Sequence, residues 1–280
     1  MVLIGRHNEL EVLRTSPHGF YLDGGSLGEI LLPGKLVPSD AEVGDVLDVF
    51  LYRDSEDRLV ATTETPYAQV GDFASLKVVG ISPRIGIFLD WGLAKDVLLP
   101  MRELRTSRPK IGDRLVVHLF LDDQTDRIVA SERLHRHLRP ETPDLADDQP
   151  VKLLIAEKTP LGYKAIVDNA FEGLLYRSDL ANPLKIGDRI DGYVRTVRED
   201  GKIDLSLDLA GHQRIATHTQ IILKALEEAG GQLPFHDKSS PQEIRSTFGM
   251  SKKAFKQAIG VLFKKREIII SPDGIRLAKL

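Results

Sequence analysis

One pattern occurs three times along this 280-residue chain, and a repeat of that kind limits the fold more than any composition does. Each copy opens with a glycine entering an alternating strand: Gly19-Phe20-Tyr21-Leu22, Gly86-Ile87-Phe88-Leu89 and Gly162-Tyr163-Lys164-Ala165. Ten residues later an acidic residue leads an apolar run, at Glu29-Ile30-Leu31-Leu32, Asp96-Val97-Leu98-Leu99 and Glu172-Gly173-Leu174-Leu175. A Gly-Asp pair follows at Gly44-Asp45, Gly112-Asp113 and Gly187-Asp188, then a turn and last strand from Asp57, Asp126 and Gly201. The opening glycine and the Gly-Asp pair are 25, 26 and 25 residues apart, and the closing turn comes 13, 14 and 14 residues later.

Each copy holds about five short β-rich runs broken by Gly, Asp, Asn or Pro. Val46–Tyr52, Leu115–Leu121 and Ile190–Val197 are examples. A unit of roughly 60–70 residues with strands so regularly spaced fits a small closed barrel, which leaves no sheet edge exposed. The Gly-Asp pair reads as a tight turn into the fourth strand, since Gly accepts positive φ and Asp bonds its own backbone.

After Gly211 the apolar period changes from 2 to 3.6. Thr217–Ala229 places Ile221, Ile222, Ala225 and Leu226 on one face and stops at Gly230-Gly231. Ser240-Pro241-Gln242-Glu243 has the form of a capping box with Pro at the first helical position. A third helix from Ser251 is expected to bury Phe255, Ala258, Ile259, Leu262 and Phe263. Two strands, Glu267–Ser271 and Gly274–Ala278, close a hairpin, and helix–turn–helix plus hairpin is a winged helix. The fold class is therefore mainly β with an α+β C-terminal domain: three tandem five-stranded closed barrels and a winged helix-turn-helix domain. The expected domains are 1–66, 67–137, a Pro- and acid-rich linker at 138–149, 150–211 and 212–280. That linker is the longest, which divides the chain into a leading pair of barrels and a trailing barrel with the winged helix.

"E-G-L-L-Y", "I-G-D-x-I-x-G-Y-V" and "I-D-L-S-L" in the third unit resemble the S1-type RNA-binding domain, which implies that the barrels are five-stranded OB-folds. The first two units depart from it at Pro33 and Pro100, where that domain usually carries His or an aromatic. Three such units followed by a winged helix resemble the bacterial conserved virulence factor B family, and "YLDGGSLGEILLP" and "LDWGLAKDVLLP" are similar to its first two units. The resemblance implies an RNA-binding regulator of gene expression and puts a second stacking residue at Tyr176.

Alternation turns Tyr21, Phe88 and Lys164 outward from the opening strands, where two aromatics and a lysine suit base stacking and phosphate contact. The competing reading is packing against a neighbouring barrel. Arg102, Arg105, Arg108, Lys110 and Arg114 could add phosphate contacts, although charge between strands is ordinary. In the third helix Lys252, Lys253 and Lys256 lie on the exposed face, with Lys264, Lys265 and Arg266 at its end. Lysines at a helix N-terminus oppose the macrodipole, so helix stability does not account for Lys252 and Lys253. This is the element that enters a groove or follows phosphates in a helix-turn-helix, and the bland alternative is a solvated face. Trp91 reads as a packing anchor, and His135-x-His137, without a third ligand nearby, as linker.

The formal charge of −3 hides an uneven distribution. Residues 1–66 carry five cations against twelve anions, and residues 67–137 eleven against nine. Residues 138–211 carry ten against fourteen, and residues 212–280 twelve against six. The polyanion footprint thus lies at the C-terminal end. The chain has no cysteine, which excludes disulfides and thiolate metal sites. No apolar run approaches the ~18 residues of a membrane span, and no Walker, G-x-G-x-x-G, H-E-x-x-H or G-x-S-x-G motif occurs. A soluble cytoplasmic protein without catalysis, cofactor or metal is expected. Its partner is RNA, single-stranded by preference, and the acidic first barrel is a possible contact for protein. A protein-interaction scaffold is the alternative function; a reader of duplex DNA is weakened by the lack of arginine within the third helix.

Overall fold

A computed structural model describes residues 1–105, 108–141, 143–180, 182–208 and 211–278, without the side chains of 211–216. The first repeat forms β1 (His7–Ser16), β2 (Gly19–Asp23), β3 (Glu29–Pro33), β4 (Val46–Arg53) and β5 (Leu59–Thr62). The second forms β6 (Phe73–Ser82), β7 (Gly86–Asp90), β8 (Val97–Pro100), β9 (Arg114–Leu121) and β10 (Ile128–Ser131). The third forms β11 (Pro150–Lys158), β12 (Gly162–Val167), β13 (Phe171–Tyr176), β14 (Arg189–Val197) and β15 (Ile203–Ser206). All three close as barrels with the same neighbours, the third strand lying beside the fifth and the fifth beside the fourth. This is the OB-type order.

The repeated glycines have one cause each. A Cβ at Gly19, Gly86 or Gly162 would stand 2.1, 2.2 or 1.9 Å from the carbonyl oxygen of Leu32, Leu99 or Leu175 on the next strand, so only hydrogen fits there. Gly44, Gly112 and Gly187 have φ of 95°, 96° and 91°. Their N–H groups donate to Val12, Val78 and Ile155 of the first strand, at the bulge each barrel carries there. The following Asp45, Asp113 and Asp188 accept from the N–H three residues back, at 2.8, 2.8 and 3.3 Å, so one turn both starts the fourth strand and pins it to the first.

The apolar cores show how barrels meet. Leu10, Val12, Leu22, Ile30, Leu32, Val49, Leu51 and Ala61 fill the first. Phe50, Tyr52 and Val60, on the outside of that barrel, join the core cluster of the second together with Trp91 and Leu93. Trp91 packs edge-on against Phe50 at 5.6 Å and is the anchor its position implied. Reciprocal ion pairs rim this contact: Arg53 reaches Asp126 at 3.2 Å and Arg127 reaches Asp57 at 2.9 Å. Between the second and third barrels, Phe73 and Val116 pack on Leu154 and Ile166. The Phe73 N–H donates to Asn169 Oδ1 at 2.7 Å, and Arg189 donates to the Phe73 carbonyl.

Two expectations about the 134–149 stretch are corrected here. His137 is not simple linker: its ring stacks on buried His118 at 4.1 Å. Leu138 packs beside Phe73 and the Arg139 N–H donates to Ala170, because an apolar residue flanked by open backbone groups finds partners on the third barrel. The chain forms two compact units. One comprises Met1–Asp144, Val151–Asp191 and Arg198–Asp204, the other Leu145–Pro150, Gly192–Val197 and Leu205–Leu280. The first unit thus takes in most of the third barrel, rather than leaving it with the winged helix.

The C-terminal region contains α1 (Gly211–Glu228), β16 (Gln232–Leu233), α2 (Pro241–Phe248), α3 (Lys252–Lys264), β17 (Ile268–Ser271) and β18 (Gly274–Leu277). Its sheet has the order β16-β18-β17, with a short strand that periodicity could not reveal. Ile222, Leu226, Ile244, Phe248, Phe255, Ala258, Ile259 and Leu262 form its core. Phe263, expected inside, is 54% exposed, and Ile221 is 38% exposed. Both lie at the edge of their helix's apolar stripe, where a turn of 100° per residue carries the side chain off the contact. Ser240 caps α2 by accepting from the Gln242 N–H, and Ser251 caps α3 by accepting from Ala254.

Candidate nucleic-acid interface

The equivalent outward positions Tyr21, Phe88 and Lys164 fall in three different settings. Tyr21 is half-buried, and the Arg14 guanidinium lies 3.8 Å from its ring centroid while donating to Glu29. The face a base would use is therefore covered. Phe88 is half-buried and lines a cleft against the first barrel. Lys164 pairs with Glu172 at 2.8 Å and lines a groove of about 800 Å³ between the second and third barrels.

That groove gathers what the sequence scattered. Arg105, Arg108 and Arg114 of the second barrel line it with Lys158 and Lys164 of the third. Arg105 is held by Glu157 at 3.0 Å and Arg114 donates to Ser75. Among the described residues, Arg108 and Lys158 form no ion pair. Asp113, Glu132, Glu157 and Glu172 share the wall, so the groove is mixed in sign with free cations rather than uniformly basic. Arg102, by contrast, pairs with Asp122 at 3.2 Å, and the Lys110 N–H serves the Asp113 turn.

Tyr176 lies outward on β13, paired with Gly162 in register. The first two barrels place Pro33 and Pro100 at the matching positions opposite Gly19 and Gly86. The Tyr176 hydroxyl is 3.2 Å from Asp204 Oδ1, and Arg198 donates to both. Asp204 raises the Arg198 pKa, first through that hydrogen bond. Sequence reading missed Arg198; its only trace was a cation at the start of the turn before the last strand. The network fixes the phenol edge of Tyr176, a fixed ring being what base stacking needs.

On α3, Lys253, Lys256, Lys264, Lys265 and Arg266 are exposed and Lys252 half-buried. Among the described residues none of these six forms an ion pair. The helix ends in a left-handed residue whose neighbours satisfy the last carbonyls, Arg266 N–H to Phe263 and Glu267 N–H to Leu262. Arg266 occupies that position at φ 59°, where α1 and α2 end on Gly230 and Gly249. A non-glycine there costs on the order of 1 kcal/mol.

The chain has recognisable relatives. Residues 4–64 match the S1 domain model, residues 73–131 the model for the first S1-like domain of CvfB, and residues 220–277 the CvfB-like winged helix domain. The model named for a first domain thus falls on the second barrel here. The chain is 29% identical to protein YitL of Bacillus subtilis over 276 residues, covering 94% of this chain and 90% of YitL. It is 27% identical to conserved virulence factor B of Staphylococcus epidermidis over 285 residues, covering 99% and 95%. A solved multidomain protein with nucleic acid binding domains from Streptococcus pneumoniae is 26% identical over 98% of both chains, with a TM-score of 0.43. S1 and winged-helix domains are nucleic-acid-binding modules rather than catalytic ones, and no helix among the described residues is long and apolar enough to cross a membrane. The matched domains take in more than half the sequence, in the order S1, S1-like, winged helix, and the chain belongs to the conserved virulence factor B family.

Proposed function

We propose that this chain is a non-catalytic, cytoplasmic RNA-binding regulator that acts after transcription and prefers single strands. The observation that carries this reading is the third barrel's outward face: Lys164 opens onto a groove with Arg108 and Lys158, which form no ion pair among the described residues, and Tyr176 stands anchored on the next strand. Bases stacking on Tyr176 with phosphates following the cations is the usual division of labour on single-strand-binding barrels. The lysines of α3 with Lys264, Lys265 and Arg266 supply a second, sequence-independent phosphate surface. Several weak sites on one chain raise each other's effective concentration, which explains how a protein of net charge −3 can hold a polyanion.

The test is fluorescence anisotropy of the full chain with labelled single-stranded RNA, duplex RNA and duplex DNA at two salt concentrations. Single strands should bind best and weaken as salt rises. Tyr176→Ala should weaken binding on the order of tenfold. Changing Lys252, Lys253 and Lys256 together to Gln should flatten the salt dependence by about two units of log–log slope, at roughly 0.7 per lost phosphate contact. Absence of binding to all three nucleic acids at low salt would sink this reading and make a protein partner for the acidic first barrel the next candidate.

A further inference from the structure

A row of outward side chains crosses the second, third and fifth strands of each barrel. In the first barrel Tyr21, Leu31 and Val60 are in register, and in the second Phe88, Leu98 and Val129. This is the face on which barrels of this topology lay an oligonucleotide. In the second barrel it is roofed. Phe88, Leu98 and Val129 floor a cleft of about 480 Å³ whose opposite wall is Tyr52, Arg53 and Ser55 of the first barrel. The volume is that of a small-molecule pocket, suited to one planar ligand and too confined for a running strand of stacked bases.

We propose that this cleft binds a single nucleotide, free or as the end of an RNA strand, with its base on Phe88 and its phosphate toward Lys95. Phe88 is prepared for stacking. Its ring leans over Gly80, where a Cβ would stand 3.2 Å from it, so no side chain of the neighbouring strand covers it as Arg14 covers Tyr21. Lys95 is held in place without a carboxylate partner: its ammonium donates to the carbonyls of Arg53 and Asp54, at 2.9 and 2.6 Å, and keeps a third proton to give. Arg53 and Arg127 line the same cleft, each already matched by an aspartate across the barrel contact. Lys95 is therefore the charge left for an anion. Asp96, the acid in the lining, offers an acceptor to a base amino group. Trp91 closes the cleft as an apolar wall, its indole N–H already given to the Lys95 carbonyl.

Trp91 is the only tryptophan of the chain, so its fluorescence reports on this cleft alone. The full chain is titrated with AMP, GMP, CMP and UMP, and separately with a short 5′-phosphorylated RNA. Saturable quenching is expected. It should weaken on the order of tenfold in Phe88→Leu, which keeps apolar cover on Gly80 but removes the stacking ring. Ser55→Tyr, which fills the cleft from the first barrel and leaves Phe88 untouched, should abolish it. Quenching by mononucleotides assigns a free nucleotide; quenching only by the phosphorylated RNA assigns a strand end. No saturable response to either probe, or a response that survives both substitutions, overturns the proposal. RNA anisotropy of the Tyr176→Ala chain is read separately, so loss of the cleft and loss of the third-barrel surface give different results.

Discussion

The fourth strands of the first and third barrels have the same place in the fold and opposite surroundings. In β4 the four consecutive residues Val49–Tyr52 are all buried, because one side of the strand faces its own core and the other the second barrel. In β14 burial alternates: Gly192 and Val194 are inside, Tyr193 is half-exposed and Arg195 is exposed. The second barrel's β9 resembles β4, with Leu115–Leu119 buried throughout and its outer Val116 packed toward the third barrel. Counting from the Gly-Asp turn, Phe50, His118 and Tyr193 are one position in three copies. A strand sequence therefore tells whether its barrel is covered: a continuous apolar run marks a strand buried on both sides, and strict alternation one with a free face. The outer side of the fourth strand is thus buried in the first two barrels and more exposed along β14 in the third.

The largest expected effect follows from that difference. Phe50→Ala should destabilise the chain by about 3–5 kcal/mol through a cavity between two barrels, whereas Tyr193→Ala should cost roughly 1 kcal/mol or less. Urea midpoints at constant slope measure both, and equal losses would break the distinction. The next effect concerns the middle copy. Burial, with His137 close by, pulls the His118 pKa from 6.5 down to about 4. The folded chain thus holds the neutral ring, so the stability tied to it is complete above pH 6.5 and drains away as pH falls toward 4. The span is of order 3 kcal/mol. His118→Phe should remove most of that acid sensitivity; an unchanged difference between midpoints at pH 7 and pH 5 would mean that another group carries it. The smallest effect sharpens the cause of the first. Arg127→Gln breaks the half-exposed pair with Asp57 and should shift the urea midpoint far less than Phe50→Ala, since water screens such pairs. A loss as large as that of Phe50→Ala would make charge, rather than apolar contact, what joins the first two barrels.

Much of this was legible in the sequence because it rests on local rules. Glycines that no side chain can replace, aspartates that close turns and the step from period 2 to period 3.6 need only near neighbours, and they gave three barrels and a winged helix. That most cations of α3 and its end stand exposed was legible for the same reason, whereas Tyr176 came only from the resemblance to the S1-type domain. The fates of Tyr21, Phe88 and Lys164 were not. Alternation correctly turned all three away from the barrel cores, but it carries no information on what stands opposite. Arg14 arrives over Tyr21 by strand register, the first barrel roofs Phe88, and Arg108 and Lys158 meet beside Lys164 across some 50 residues of chain. The sequence alone determined which way each side chain points, since backbone geometry fixes that within a strand. Only the tertiary structure decided which outward faces remained open, because covering a face depends on contacts between distant units, and those are set by how the units' apolar surfaces fit.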